Sequence, residues 1–219
     1  MAHKYKLVCF DLDGTVIDDT VFIWQTIHDY LNTDKKKRKK AADDFINKKI
    51  SYKQWAEHDL ELWKEKNATK EDLMNAIKPL KLMKGALETL NTLKRAGLKL
   101  AVISGSLDIA LEKVLPNHSE IFDDIYINHL IFDGNNIKEL KSTAFDFEHK
   151  AAALMEICKK ENILPEECVF VGDHNNDIQA AELAGLGIAF NCKSERLAQV
   201  ADIVIKEKDL RAILKYILA

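Results

Sequence analysis

The chain has 219 residues, 47% of them hydrophobic, with 32 Lys and Arg against 35 Asp and Glu and a formal net charge of −3. That length holds one large domain or one domain with an insert, and the near balance of charge argues against nucleic acid as the main partner. No apolar run reaches membrane-spanning length, and the four cysteines (Cys9, Cys158, Cys168, Cys192) form no CxxC pair. Met1–Lys6 leads straight into an apolar run with no signal-peptide pattern. A cytoplasmic protein with reduced thiols and no membrane partner is expected.

Leu7 to Phe10 is short, apolar and β-prone, the pattern of a strand buried on both faces of a parallel sheet. It ends in Asp11-Leu-Asp-Gly-Thr15, two carboxylates at alternate positions followed by a glycine that permits a turn and a hydroxyl. Two acids at a strand edge are costly neighbours unless a cation neutralises them, and oxygen ligands of this kind suit Mg²⁺. The pattern then becomes helical. Val21, Phe22, Trp24, Gln25, Ile27, His28 and Leu31 have helical spacing. The basic run Lys35–Lys40 reads as a solvated helix face or loop. Ser51 with Gln54 forms a capping box ahead of a helix carrying Trp55, Leu60, Leu62 and Trp63. Thr69 with Asp72 repeats the signature before Pro79. Trp24, Trp55 and Trp63 read as core of this helical block, which occupies residues 18–80.

From Lys81 the chain alternates. A helix over 85–96 stops at Gly97. Leu98 to Ile103 is a buried strand ending in Ser104-Gly105-Ser106, followed by a helix over 106–115. Ile125–Phe132, the turn Asp133-Gly134 and Ile137–Lys141 form a hairpin. A helix from Glu148 to Glu161 carries Lys150 in its first turn. Cys168 to Val171 is a strand ending in Gly172-Asp-His-Asn-Asn-Asp177. A helix over 176–184, strands at Leu186–Phe190 and Asp202–Ile205, and a helix from about Asp209 complete the chain. The alternation predicts an α/β fold, a Rossmann-like parallel sheet with helices on both faces. Residues 1–17 and 81–219 form this core, and residues 18–80 form an inserted α-helical cap over the carboxyl edge of the strands.

Four polar clusters end four elements of that core: Asp11 with Asp13, Ser104, Lys150, and Asp173 with Asp177. In this order and context they resemble the four motifs of the haloacid dehalogenase superfamily of phosphohydrolases. Asp11-Leu-Asp-Gly-Thr15 matches the first motif, Val102-Ile-Ser-Gly105 the second, Lys150 the third and Gly172-Asp-His-Asn-Asn-Asp177 the fourth. The resemblance spans the whole chain. The helical insert after the first motif is similar to the phosphoserine-phosphatase-like subgroup, whose acidic loop is nearly reproduced, with His174 where a glycine is expected.

The resemblance implies a Mg²⁺-dependent phosphatase acting on a small phosphorylated metabolite. Asp11 is then the nucleophile that forms an aspartyl-phosphate, and Asp13 the acid and base. Ser104, the Gly105 N–H and Lys150 hold the phosphoryl group. Asp11, the main-chain carbonyl of Asp13 and Asp173 hold the metal, with Asn176 and Asp177 in support. Asp19 and Thr20 stand where the family reads the leaving group. The resemblance leaves two other activities open, phosphotransfer as in mutases of the superfamily and phosphate binding without turnover, as well as a monomer or a homodimer. Phosphoserine itself is disfavoured. A glutamate expected nine residues after the nucleophile is Thr20, and Arg38, the only arginine in 18–80, lies inside the basic run. Asp18 or Asp19, and Lys48, Lys49 or Lys53, are the candidate substitutes.

Overall fold

The computed structural model describes residues 4–20, 22–143, 145 and 149–219; Val21 and Glu148, read above as helical, lie outside them. β1 (Leu7–Phe10) is the middle strand of a seven-stranded sheet. On one side it pairs in parallel with β4 (Lys99–Leu107), which pairs with β5 (Asp124–Asp133). On the other it pairs with β7 (Cys168–Gly172), followed outward by β8 (Leu186–Phe190) and β9 (Ile203–Ile205). The edge strand β6 (Asn136–Lys141) returns antiparallel beside β5, as the Asp133-Gly134 turn requires. β1 thus lies where the connections diverge to either side, the position at which open α/β sheets form a crevice at their carboxyl ends.

The period of two along β1 assigns its side chains to two cores. Leu7 and Cys9 join Ala101, Ile103 and Phe170 beneath α8 (Lys150–Glu161) and α9 (Ile178–Leu183). Val8 and Phe10 join Val102 and Val171 against α5 (Ala86–Arg95) and α6 (Asp108–Val114). Both faces being covered, the strands can be apolar throughout.

The helical segment leaves and returns through a two-stranded neck, β2 (Ile17–Asp18) antiparallel to β3 (Lys81–Leu82), which carried no strand signal in the sequence. Between them lie α1 (Ile23–Leu31), α2 (Lys35–Ile46), α3 (Tyr52–Glu65) and α4 (Lys70–Ala76). The capping boxes at Ser51 and Thr69 are formed. The basic run proves to be the first half of α2, started by Asp34, whose carboxylate accepts from the N–H groups of Lys36 and Lys37. Ile23, Ile27, Leu60, Trp63, Leu73 and Ile77 are buried in the same apolar cluster as Val8 and Phe10. The insert therefore packs on the sheet through shared core.

β4 runs on through Ser104-Gly105-Ser106 to Leu107, with a register shift against β5 between Ile103 and Leu107. The sequence reading ends the strand at Ile103 and starts a helix at 106, but pairing with β5 past the irregularity keeps Ser104-Gly105-Ser106 extended. The helices expected over 176–184 and from about Asp209 are shorter than expected because each opens with a turn of 3₁₀ helix, Asn175–Asp177 and Leu210–Ile213.

Trp63 is fully buried in the apolar cluster that the insert shares with the sheet. Trp63→Ala should cost about 3–5 kcal/mol of unfolding free energy, measured by urea denaturation.

Candidate active site

Asp11 follows β1 directly and Asp13 lies two residues on, while Ser104 and Ser106 occupy alternate positions at the end of the neighbouring strand. The two spacings match. The Ser104 hydroxyl donates to Asp11 Oδ1 at 2.9 Å and the Ser106 hydroxyl to Asp13 Oδ1 at 2.8 Å. Ser106 was not singled out in the sequence, although its spacing from Ser104 is the signal that finds it. Gly14, between the acid pair and the neck, has φ +81°, and a Cβ there would lie 2.2 Å from Asp173 Oδ2. Both the turn and the close approach of the acidic loop require glycine.

Lys150, the first residue of α8, is fully buried. Its Nζ lies 2.6 Å from Asp11 Oδ1 and 2.7 Å from Asp177 Oδ1. The other Asp177 oxygen accepts from the backbone N–H groups of Asp173 (2.8 Å) and His174 (3.0 Å), which shapes the acidic loop. Asp173 pairs through Oδ2 with Lys193, from the loop after β8. A lone lysine following a strand carries no sequence signal, and Lys193 went unnoticed there.

Carboxylate oxygens of Asp11, Asp173 and Asp177 come within 4.8 Å of one another. The Asp13 carboxylate lies apart from them, held by Ser106 and by the Ile23 N–H at 2.6 Å, so its side chain is not part of the acidic cluster. Burial, and then the charge of Asp11, raise the Asp13 carboxyl to about 7. Asp173 rises to about 8, by burial and the charges of Asp11 and Asp177, and Asp177 to about 6, chiefly by burial. Fully ionised, the four carboxylates outnumber Lys150 and Lys193 by two charges. The ion pairs use Oδ1 of Asp11 and Oδ2 of Asp173, leaving one oxygen of each for a ligand. A divalent cation fits both the charge and the hard oxygen donors.

Above this floor is a cavity of about 300 Å³, lined by Asp11, Asp13, Ser104, Gly105, Asp173, His174 and Asn176 below and by Phe22, Trp24, Arg38, Tyr52, Trp55 and Asp59 from the insert. Trp24 and Trp55, expected in the core, border this cavity; of the three tryptophans only Trp63 is fully buried. Arg38 also departs from the solvated run around it, its side chain 20% exposed. Asp19 and Thr20 do not reach the cavity. The β2–β3 neck carries them outward, where Asp19 pairs with Lys81 at 3.1 Å and Thr20 Oγ1 meets Thr26 Oγ1 at 3.0 Å. They line a second, more open cleft beside Lys193 and Lys208. Among the described residues no helix is long and apolar enough to cross a membrane.

A model of haloacid dehalogenase-like hydrolases matches residues 5–185. The chain belongs to that family. Within these hydrolases it is 34% identical to a phosphoserine phosphatase of Methanocaldococcus jannaschii, over 99% of this chain and all of that one. It is 32% identical to one of Archaeoglobus fulgidus, over 95% of this chain and 58% of the other. A substrate-bound phosphoserine phosphatase complex superposes with a TM-score of 0.77 at 32% identity, covering 99% of this chain and 100% of that structure. The chain is a phosphatase of the haloacid dehalogenase type.

The acidic floor predicts how stability depends on pH. The folded chain retains a proton on Asp173 up to about pH 8, whereas the unfolded chain releases it near pH 4. The folded state therefore binds more protons in that window, and without metal its stability falls as pH rises. Mg²⁺ should remove most of this slope and raise the melting temperature most at the alkaline end. Thermal unfolding in EDTA and in Mg²⁺ across pH 5–9 measures it; identical slopes in the two would exclude a cation from the cluster.

Proposed function

We propose that Asp11 attacks the phosphorus of a small phosphomonoester and carries it as an aspartyl-phosphate, with Asp13 as the general acid and base. The observation that supports this most is the separation of roles between the two acids. Asp11 is bonded to Lys150 and Ser104 and faces the acidic cluster. Asp13 is fixed by Ser106 and Ile23 and raised to about 7. A carboxyl poised near neutrality is suited to protonate a departing alkoxide and then to accept a proton from water.

Lys150 and the Ser104 hydroxyl, both already on Asp11 Oδ1, are placed to hold phosphoryl oxygens as charge moves onto them, with the Gly105 N–H as a further donor. Asp177 fixes Lys150 from behind, while Asn176 borders the same cavity. In this reading Mg²⁺ is held by Asp11, Asp173 and the carbonyl of Asp13, and supplies screening of the phosphoryl charge. Residues 18–80 act as a cap that encloses the reaction and residues 1–17 with 81–219 as the catalytic core. A reducing, cytoplasmic setting belongs to the same reading. It is supported by four free cysteines, with the sulfurs of Cys158 and Cys168 only 3.4 Å apart and unjoined.

Asp11→Asn should lower kcat by about a thousandfold or more while the protein stays folded; retention of a tenth of the activity in pure protein would remove Asp11 as nucleophile. Asp13→Asn should lower hydrolysis of alkyl phosphates by about 10²–10⁴-fold. It should affect 4-nitrophenyl phosphate, whose leaving group needs little protonation, much less. Equal losses on both substrates would show that Asp13 is not the acid. EDTA should abolish turnover and Mg²⁺ restore it; full activity in a metal-free preparation would contradict the assignment.

A further inference from the structure

The insert side of the cavity holds a feature that phosphoryl transfer leaves unused. Asp59, on α3, is only 3% exposed. Its Oδ2 lies 3.3 Å from His28 Nε2 and 3.8 Å from Arg38 Nε. Its Oδ1 is buried with no hydrogen-bond partner among the described residues. A buried carboxylate oxygen without a donor is costly unless something in the cavity supplies one. His28 gives little compensating charge, since burial lowers its pKa and Thr33 Oγ1 holds its other nitrogen at 2.7 Å.

The rest of that wall is aromatic, and its rings are fixed from behind. Trp24 stacks on Trp63 (centroids 5.1 Å apart, 28° between planes) and donates its Nε1–H to the Gly105 carbonyl at 2.9 Å. Trp55 stacks on Phe45 at 4.7 Å and meets Tyr52 edge to face. Asn128 Nδ2, from β5, donates to the Tyr52 hydroxyl at 3.0 Å. Rigid indole and phenol rings lining the same cavity as a carboxylate make an environment that recognises an organic cation, through ring quadrupoles and a charge-assisted hydrogen bond.

A leaving group bearing a carboxylate finds the opposite. Arg38 is the one guanidinium at the cavity among the described residues. It is already engaged, with Nη1 on Gln25 Oε1 and Nε toward Asp59. Lys49 and Lys53 are exposed and paired with Asp44 and Glu57, and Lys48 is exposed; none lines the cavity. A substrate carboxylate would compete with Asp59 for Arg38 and be repelled by Asp59 itself.

We infer that Asp59 and the rings of Trp24, Tyr52 and Trp55 select phosphomonoesters of amino alcohols, with the substrate ammonium seated against Asp59 Oδ1 and no carboxylate beside it. This rests on the phosphatase reading above and names its substrate class. The cavity runs from Asp59 to Asp11 and Asp13, so a short alcohol can place its nitrogen at one end and its ester at the other.

The test is kcat/KM with Mg²⁺ for 2-aminoethyl phosphate, choline phosphate, phosphoserine, ethyl phosphate and glycerol 3-phosphate, with 4-nitrophenyl phosphate as a reporter of chemistry alone. The amino-alcohol esters should lead phosphoserine and the uncharged alcohols by tenfold or more. Asp59→Asn should shrink the ratio of 2-aminoethyl to ethyl phosphate by at least tenfold. Should that variant fail to fold, binding of 2-aminoethyl phosphate and of phosphoserine to the Asp11→Asn protein, followed by tryptophan fluorescence, gives the same comparison. Phosphoserine leading by tenfold, or a flat profile with 4-nitrophenyl phosphate still hydrolysed, overturns the substrate class and leaves the phosphatase reading standing. No hydrolysis of any ester overturns both.

Discussion

The structure depends on keeping four carboxylates together at the end of a buried sheet. Asp11, Asp13, Asp173 and Asp177 are each at most 7% exposed, and in water such a group would disperse. Here they are held by partners that the fold itself delivers. α8 buries Lys150 between two of them, the turn after β8 brings Lys193 to a third, and backbone N–H groups take up oxygens of Asp13 and Asp177. Removing any one of these cations would leave buried charge uncompensated, which is far more costly than the pair is stabilising. The remaining negative excess is charge that a divalent cation on the acidic cluster would offset.

The same economy of position explains why the strands are apolar up to their last residue and polar immediately after it. β1 and β7 are buried throughout, so they can be rigid without side-chain hydrogen bonds. All functional groups are then concentrated at one edge, where the backbone stops pairing and side chains converge. Rigidity below and convergence above fix these polar groups in one arrangement, which is what the proposed reaction would require of them.

Much of this was legible in the sequence because it is local. Asp11 and Asp13 follow an apolar run, Lys150 opens a helix, Asp173 and Asp177 share one loop, and each is placed by the element it ends. The reach of β4 through Ser106 was not legible, since Ser-Gly-Ser favours a turn and only pairing with β5 extends it. Nor were Lys193, Arg38 and Asp59. Each is a single charged residue with no local pattern; the turn after β8 brings Lys193 to Asp173, and the packing of α2 on α3 brings Arg38 to Asp59. Trp24 and Trp55 have the helical spacing of core residues, and at that level a tryptophan lining a cavity and one filling a core look alike. Asp19 and Thr20, read as candidate leaving-group contacts, lie away from the cavity because of the short β2–β3 neck, which is too brief to leave a pattern in sequence.

The bond from the Ile23 N–H to Asp13 joins the first residue of the insert's first helix to the acid of the core. Beside it, Trp24 is tied to the carbonyl between the two serines that hold Asp11 and Asp13. An insert swung away from the sheet would take both ties with it. Asp13 would lose its clamp in the same movement that admits solvent, so in the proposed mechanism a gaping molecule is also a disarmed one. Under the proposed mechanism, enclosure and protonation would become a single mechanical event, and an alcohol too bulky to let α1 settle would go uncleaved even with its phosphate correctly seated.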